Sequence, residues 1–365
     1  MSGCNFLDGR VTLVSGCCLE ILAALPACSV DSIVTDPPYG FEFMAKDWGR
    51  VSAKPRGRTS LMAVSAATIE HKNDTPQHRA AVKQPAFLLR CHKCNGNSSG
   101  AWGRCKCDVP DFRSRSDLGH SLQHWHGMWA ARCFHVLKPG GHALAFSSTK
   151  TYHRLACAIE DAGFEIRDQI GWAYATGFPK SRNLGDGWGT ALKPAWEPIC
   201  VARKPPIGAI AVNRQQYGTG GVNVDACRVG GKWPGNIIHD DSSDIHRVLN
   251  TSARLFYAAK ADAEDRLGSK HPTVKPLDLM QWLVRLVTPK GGTVLDPFAG
   301  TGTTGEAAWR EGMRAILIER DSEYQADIAR RMELAMMPTK RSAVAASKNK
   351  LEKPEDLPLF TQRDG

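Results

Sequence analysis

Apolar positions along the chain come in short runs whose spacing switches between strand-like and helix-like periods. "RVTLVSGCCLEILAALPACSVDSIVTDPPYG" predicts a strand, a short helix from Leu19 to Leu25, a break at Pro26, a second strand, and a loop at Asp36-Pro37-Pro38-Tyr39. Periodicity is lost from residue 50 to 115, where Pro, Gly, Ser and basic residues dominate. It returns as a helix from Asp117 to Leu137, closed by Lys138-Pro139-Gly140-Gly141. A strand "HALAFSS", a helix from Tyr152 to Ala162 and a strand from Glu165 to Trp172 follow. Thr176 to Ser252 is rich in Gly, Pro, Asn and Trp, with "EPICVARK" its one clear strand. The last third has an α/β rhythm: a helix from Leu277 to Val287, the strand "TVLDPF", a Gly-rich turn, a helix from Thr304 to Arg310, the strand "RAILIER" and a helix from Ser322 to Met332. Beyond Met337 the chain is polar and Pro-interrupted and reads as a disordered tail. No internal repeat is present.

This alternation predicts an α/β, Rossmann-like fold carrying additions. The expected divisions are 1–49 and 116–176 as core, 50–115 as a basic Cys-containing insertion, 177–255 as a loop-rich region, 256–337 as a second α/β half, and 338–365 as a disordered tail. At 365 residues, 42% apolar and 23% charged, the composition is that of an ordinary globular protein. No apolar run approaches the roughly 18 residues of a membrane span, and the N-terminus lacks a signal-peptide core, so a cytoplasmic protein with no membrane partner is expected. The net charge of +10 is uneven: Arg50 to Arg115 holds 13 Lys and Arg against four acidic residues, which suggests a polyanionic partner.

Two stretches carry chemistry. In the first, prolines forbid helix and strand continuation just after Asp36, fixing a carboxylate, a carbonyl and the aromatic ring of Tyr39 in one rigid loop. In the second, "VLDPFAGTGTT", a strand ends at Asp296 and is followed by Gly300 and Gly302 and then a helix; Gly allows close backbone approach to a ligand and the helix offers free N–H groups. The next strand ends in Glu319, where an acid can accept hydrogen bonds from ribose hydroxyls. This spacing points to an adenosine-type site, and the Asp-Pro-Phe in front of the glycines favours S-adenosylmethionine over a dinucleotide.

Together with "HPTVKP" (His271 to Pro276), these motifs make the chain resemble the amino-methylating DNA methyltransferases, in the motif order of the β class. "GFPKSRNLG", "KPAWEPICVARKP" and "ARLFYAAKA" are similar to blocks of phage- and prophage-type adenine enzymes. The resemblance covers most of residues 10–335 and implies a circularly permuted Rossmann-like methyltransferase fold. It implies Asp36, Pro37, Pro38 and Tyr39 as catalytic residues, with Asp36 also facing the cofactor. The cofactor pocket would add His271, Thr273, Lys275, Asp296, Pro297, Phe298, Gly300, Thr301, Gly302, Thr303, Glu319 and Arg320. The implied reaction is methylation of the N6 amine of an adenine flipped out of double-stranded DNA. N4 of cytosine is the alternative, and a fold retained for DNA binding, or an RNA or protein-amide substrate, stands further off. Relatives are often dimeric, so a homodimer is expected. One departure is Ser15-Gly16-Cys17-Cys18, where the family usually carries Gly-Asp-Cys: Cys17 replaces a carboxylate near the cofactor adenine.

Of twelve cysteines, Cys91, Cys94, Cys105 and Cys107 have a spacing that could hold a structural zinc ion and stabilise the basic insertion. Sequence reading is expected of residues 177–255, with Arg182, Asn183, Arg214 and Lys232 as candidate DNA contacts.

Overall fold

The computed structural model describes residues 3–40, 90–91, 112–113, 115–174, 181–239, 256–257, 260–337 and 341–342. The chain divides into two compact units, Met1–Phe41 with His126–Gly365, and Glu42–Trp125. The smaller unit contains an antiparallel ladder of β4 (Arg90–Cys91) and β5 (Phe112–Arg113) and the start of helix α2 (Arg115–Val136).

The larger unit opens with β1 (Gly3–Phe6), β2 (Val11–Ser15), α1 (Cys18–Ala24) and β3 (Val30–Thr35). After α2 come β6 (Leu137–Phe146), α3 (Tyr152–Asp161), β7 (Glu165–Ala173), the hairpin β8 (Asn183–Gly185) and β9 (Trp188–Gly189), β10 (Trp196–Arg203), α4 (Ile210–Tyr217), β11 (Ile237–His239) and β12 (Phe256–Tyr257). It closes with α5 (Ala263–Arg266), α6 (Leu277–Val287), β13 (Thr293–Asp296), α7 (Thr303–Arg310), β14 (Arg314–Glu319) and α8 (Ser322–Ala335). Ten strands form one sheet in the order β1-β2-β14-β13-β3-β6-β10-β7-β11-β12. From β2 to β6 the pairing is parallel, and β10 runs antiparallel between β6 and β7. This is the α/β, Rossmann-like fold that the alternating pattern predicts.

Strand order reverses between β13 and β3: from β13 the chain proceeds outward to β14, whereas β3 is followed on its other side by β6. Such a switch point opens a crevice at the carboxyl ends of the strands. All six residues of β3 are buried although three are polar. Each polar side chain has a partner from the last third of the chain. Asp31 accepts from the Lys138 ammonium at 2.6 Å and from the backbone N–H of Thr293 at 2.7 Å, Ser32 bonds Thr288 at 2.8 Å, and Thr35 donates to Asp296 at 2.6 Å. Buried polar groups without partners would be costly, so this polar seam adds specificity to a strand pair with two registered backbone partners, Ser32 with Val294 and Ile33 with Leu295.

Three details differ from the sequence expectation. Lys138-Pro139-Gly140-Gly141 lies inside β6 instead of closing a helix. Gly140 sits at φ +77°, and a Cβ at Gly141 would come within 2.7 Å of Leu137 and 2.9 Å of the Asp31 carbonyl. The glycines therefore let the strand kink past β3. The loop-rich region contains α4, anchored by Asn213, whose amide donates to the carbonyls of Pro139 and Thr219. In the tail, Arg341 is buried and donates to Glu306 at 2.5 Å.

Candidate active site

The two loops singled out in the sequence meet at the switch point. Thr35, last residue of β3, donates to Asp296 Oδ1 at 2.6 Å, and Thr304 of α7 donates to Oδ2 at 2.6 Å. The N–H of Phe298 completes the set at 3.1 Å. Burial pushes Asp296 up to about 6 against the hydrogen bonds that favour its ionised form. Through both oxygens Asp296 is the knot joining the two loops.

Asp36 follows Thr35. Its Oδ1 accepts from the Tyr39 hydroxyl at 2.6 Å, and its Oδ2 from the Lys275 ammonium at 2.5 Å. Pro37 is buried and Pro38 partly so, and their fixed φ angles let the loop turn Tyr39 back over Asp36. The Tyr39 hydroxyl is pushed well above its ordinary pKa by burial, Asp36 and Glu197. Lys275 has 7% of its side chain exposed and stands between Asp36 and Glu197, the latter at 3.6 Å. It also sits 4.8 Å from the ring centre of Phe146 and 5.8 Å from that of Tyr39. Burial pulls the ammonium down, but the two carboxylates outweigh it and hold the pKa above the ordinary lysine value. Lys275, expected among the cofactor ligands, is thus bonded to the catalytic-loop aspartate.

The Gly-rich turn lies alongside. Gly300 and Gly302 have φ of +52° and +78°, a left-handed conformation glycine adopts at no steric cost. A Cβ on Gly300 would meet His271 Nε2 at 3.2 Å, and one on Gly302 would meet Ile328 Cγ1 at 3.0 Å. His271 accepts from the Thr273 N–H through Nδ1 at 3.3 Å and packs edge-on against Tyr324, while burial lowers its pKa to about 4. The neutral ring therefore carries its proton on Nε2. Thr301 and Thr303 are buried with their hydroxyls 3.4 Å apart. Phe298 is held edge-on by Trp129, whose indole N–H donates to His126 at 3.1 Å. Glu319 ends β14 with Oε2 accepting from the Gly300 N–H and Oε1 from those of Arg320 and Asp321, each at 2.8 Å. Oε2, with a single donor, keeps a further lone-pair direction for a ribose hydroxyl. Cys17 precedes α1 next to this strand end, since the Gly16 N–H donates to the Glu319 carbonyl at 3.0 Å. Arg320 is exposed. A glycine cradle, a carboxylate at the neighbouring strand end and the loop between them fit the adenosine and methionine parts of S-adenosylmethionine.

Several contributors lie outside the two signature loops and "HPTVKP". Glu197, near the start of β10, bonds Lys275 and lies 3.4 Å from the Tyr174 hydroxyl. Arg331 of α8 is fully buried and donates to the carbonyl of Thr301 at 2.8 Å, to Glu306 at 3.0 Å, and to the carbonyl of Asp265. It thereby fixes the outer side of the Gly-rich turn. A buried Arg-Glu pair at helical spacing from neither motif gives no periodic signal.

Among the expected DNA contacts, Arg182 and Asn183 belong to the exposed β8-β9 hairpin. That hairpin leaves the sheet between Tyr174 and Trp196, beside the site. Lys232 is exposed in a turn with Gly230 and Gly231. Arg214 lies in α4, which is tied to Pro139 at the start of β6. Cys94, Cys105 and Cys107 and the side chain of Cys91 lie outside the described residues. Among the described residues no cluster of His, Cys, Asp or Glu is arranged to hold a metal ion, and no helix is long and apolar enough to cross a membrane.

A family of DNA methylases of the N6/N4 type matches residues 30–330. The type II methyltransferase M.HindIII of Haemophilus influenzae is 28% identical over 302 residues, covering 78% of this chain and 82% of its own. The type II methyltransferase M2.DpnII of Streptococcus pneumoniae is 27% identical over 243 residues, covering 66% of this chain and 78% of its own. Among solved structures, the cytosine-N4-specific PvuII DNA methyltransferase superposes with a TM-score of 0.52 at 16% identity, covering 94% of each chain. At that identity the likeness concerns the fold.

Proposed function

The chain belongs to the N6/N4 DNA methylase family, and we propose that within it this protein methylates the N6 amine of adenine, flipped out of double-stranded DNA at a specific site. The observation that carries this reading is the position of Asp36: a carboxylate held at the switch point beside the glycine cradle, with one oxygen bonded to the Lys275 ammonium and the other to the Tyr39 hydroxyl. Aspartate at the first position of the loop supports adenine, since the resemblance associates serine there with N4 of cytosine.

S-adenosylmethionine, when bound, supplies a methyl group made electrophilic by its sulfonium. His271, Thr273, Phe298, Gly300, Thr301, Gly302, Thr303, Glu319 and Arg320 form the walls we assign to it. An exocyclic amine is a weak nucleophile because its lone pair is delocalised into the ring, so the residues around it must align and polarise it. Asp36 Oδ1 accepts one amine hydrogen and the Pro37 carbonyl the other, which draws the nitrogen toward a pyramidal geometry. Asp36 then takes the proton that the nitrogen sheds as the new N–C bond forms. Tyr39 offers its ring to the flipped base, replacing stacking lost from the duplex.

The deciding experiment incubates the protein, and Asp36→Ala beside it, with unmethylated DNA and S-adenosylmethionine, then quantifies methylated nucleosides by mass spectrometry. N6-methyladenine with the wild type alone is the expected result. N4-methylcytosine would move the assignment to the other base, and transfer by Asp36→Ala would remove the proposed mechanism.

A further inference from the structure

Each oxygen of Asp36 already accepts one strong hydrogen bond, so a base amine arriving at the carboxylate competes with a donor in place. The amine is bound best when one of the two donors gives way. Lys275 is unsuited to do so: its ammonium is buried, and losing its shortest partner would leave a charge poorly compensated in an apolar wall formed in part by Phe146. The Tyr39 hydroxyl is suited, because a second acceptor stands at 3.5 Å, the Oε2 of Glu197. The same oxygen lies 3.6 Å from the Lys275 ammonium, and the other oxygen of Glu197 faces the Tyr174 hydroxyl at 3.4 Å. Glu197 lies in β10, a strand that supplies neither of the two signature loops.

We propose that Glu197 is a positioning residue for methyl transfer: it receives the Tyr39 hydroxyl, and a larger share of Lys275, as Asp36 Oδ1 turns to the base amine. Base entry is then an exchange of partners around a fixed ammonium, with no buried polar group left unpaired at any stage. Five groups from four elements face Asp36: Tyr39 from its own loop, Lys275 and His271 from the segment before α6, Glu197 from β10 and Asp296 from β13. Of these, Lys275 brings a positive charge to the site and Glu197 a negative one.

This opposition supplies the test, which rests on the methyl-transfer reading above. Three variants, Glu197→Ala, Glu197→Gln and Lys275→Gln, are compared with the wild type by kcat on DNA from pH 5 to 9 and by calorimetric titration with S-adenosylmethionine. Glu197→Ala, which removes both acceptor and charge, should lower kcat about tenfold or more while cofactor affinity stays within about twofold. Glu197→Gln, which keeps an acceptor oxygen, should recover part of that loss and move the acidic limb of kcat to lower pH. Lys275→Gln should move the same limb to higher pH. A residue with a merely structural role would lower activity without these opposite displacements. Wild-type kcat in Glu197→Ala, or an unmoved limb in Glu197→Gln, overturns the inference and leaves the methyltransferase reading standing. An inactive wild type overturns both. If Lys275→Gln does not fold, the two Glu197 variants decide alone.

Discussion

Glu319 serves two ends at once. Its side chain receives the Gly300 N–H across the cofactor crevice and two N–H groups of the turn after β14. Glu319→Ala should therefore weaken S-adenosylmethionine binding through loss of the proposed ribose acceptor and through loosening of the Gly-rich turn. A rise in Kd of about a hundredfold is expected, corresponding to two charged hydrogen bonds at about 1.5 kcal/mol each. Calorimetric titration measures it, and unchanged affinity would remove the ribose role. Cys17, standing beside the same strand end, offers the converse experiment. Cys17→Asp restores the carboxylate that the family resemblance places near the cofactor adenine, and should tighten binding by about tenfold. At this scale the sequence named the loop residues but not their partners. Lys275 was legible as part of the site because "HPTVKP" is a motif. That it bonds Asp36 was not, since motif order says nothing about which side chains converge across a sheet.

Helix α8 appears in the sequence as an ordinary amphipathic segment, yet its Arg331 braces the cofactor turn from behind. The guanidinium connects the Thr301 carbonyl, Glu306 of α7 and the Asp265 carbonyl of α5, while Arg310 and Arg341 share the same buried glutamate. Arg331→Met removes one partner of a buried ion pair and orphans two carbonyls, and should cost about 3 kcal/mol or more in urea unfolding. The start of α7 is as exacting. Gly302→Ala places a Cβ at positive φ and 3.0 Å from Ile328, so cofactor affinity and stability should both fall. Element types were readable wherever a clean period ran between turn signals, as in α6 and β14. They were unreadable where tertiary contacts overrode local chemistry. Pro139, Gly140 and Gly141 are helix breakers by type, but β6 uses the two glycines to pass close to Asp31 and Leu137. Helix α4 escaped notice because Pro205, Pro206 and Gly208 precede it and most of its side chains face solvent.

For the whole molecule, buried titratable groups set how stability depends on pH. Burial holds His126 down to about 3 and His142 and His271 to about 4, whereas unfolded histidine titrates near 6.5. Their stabilisation is complete above that value and drains away as pH falls toward 4. Asp265 and Asp296, raised by burial from 3.8 to about 6, act in the opposite sense: their contribution is complete below 3.8 and lost as pH rises through about 6. The histidines are more numerous and more strongly shifted, so the urea midpoint should be lower at pH 5 than at pH 7; a midpoint that rises on acidification would contradict this balance. The polar seam along β3 has a further bearing on how the molecule comes into being. During synthesis Asp31, Ser32 and Thr35 leave the ribosome early, whereas Thr288, Thr293 and Asp296 follow only after about 250 further residues, a delay on the order of tens of seconds. Until then the nascent chain holds a catalytic loop with no knot to fasten it and a central strand whose β13-facing edge is unpaired. The catalytic loop is therefore fastened only once the segment carrying Thr288 to Asp296 has been made.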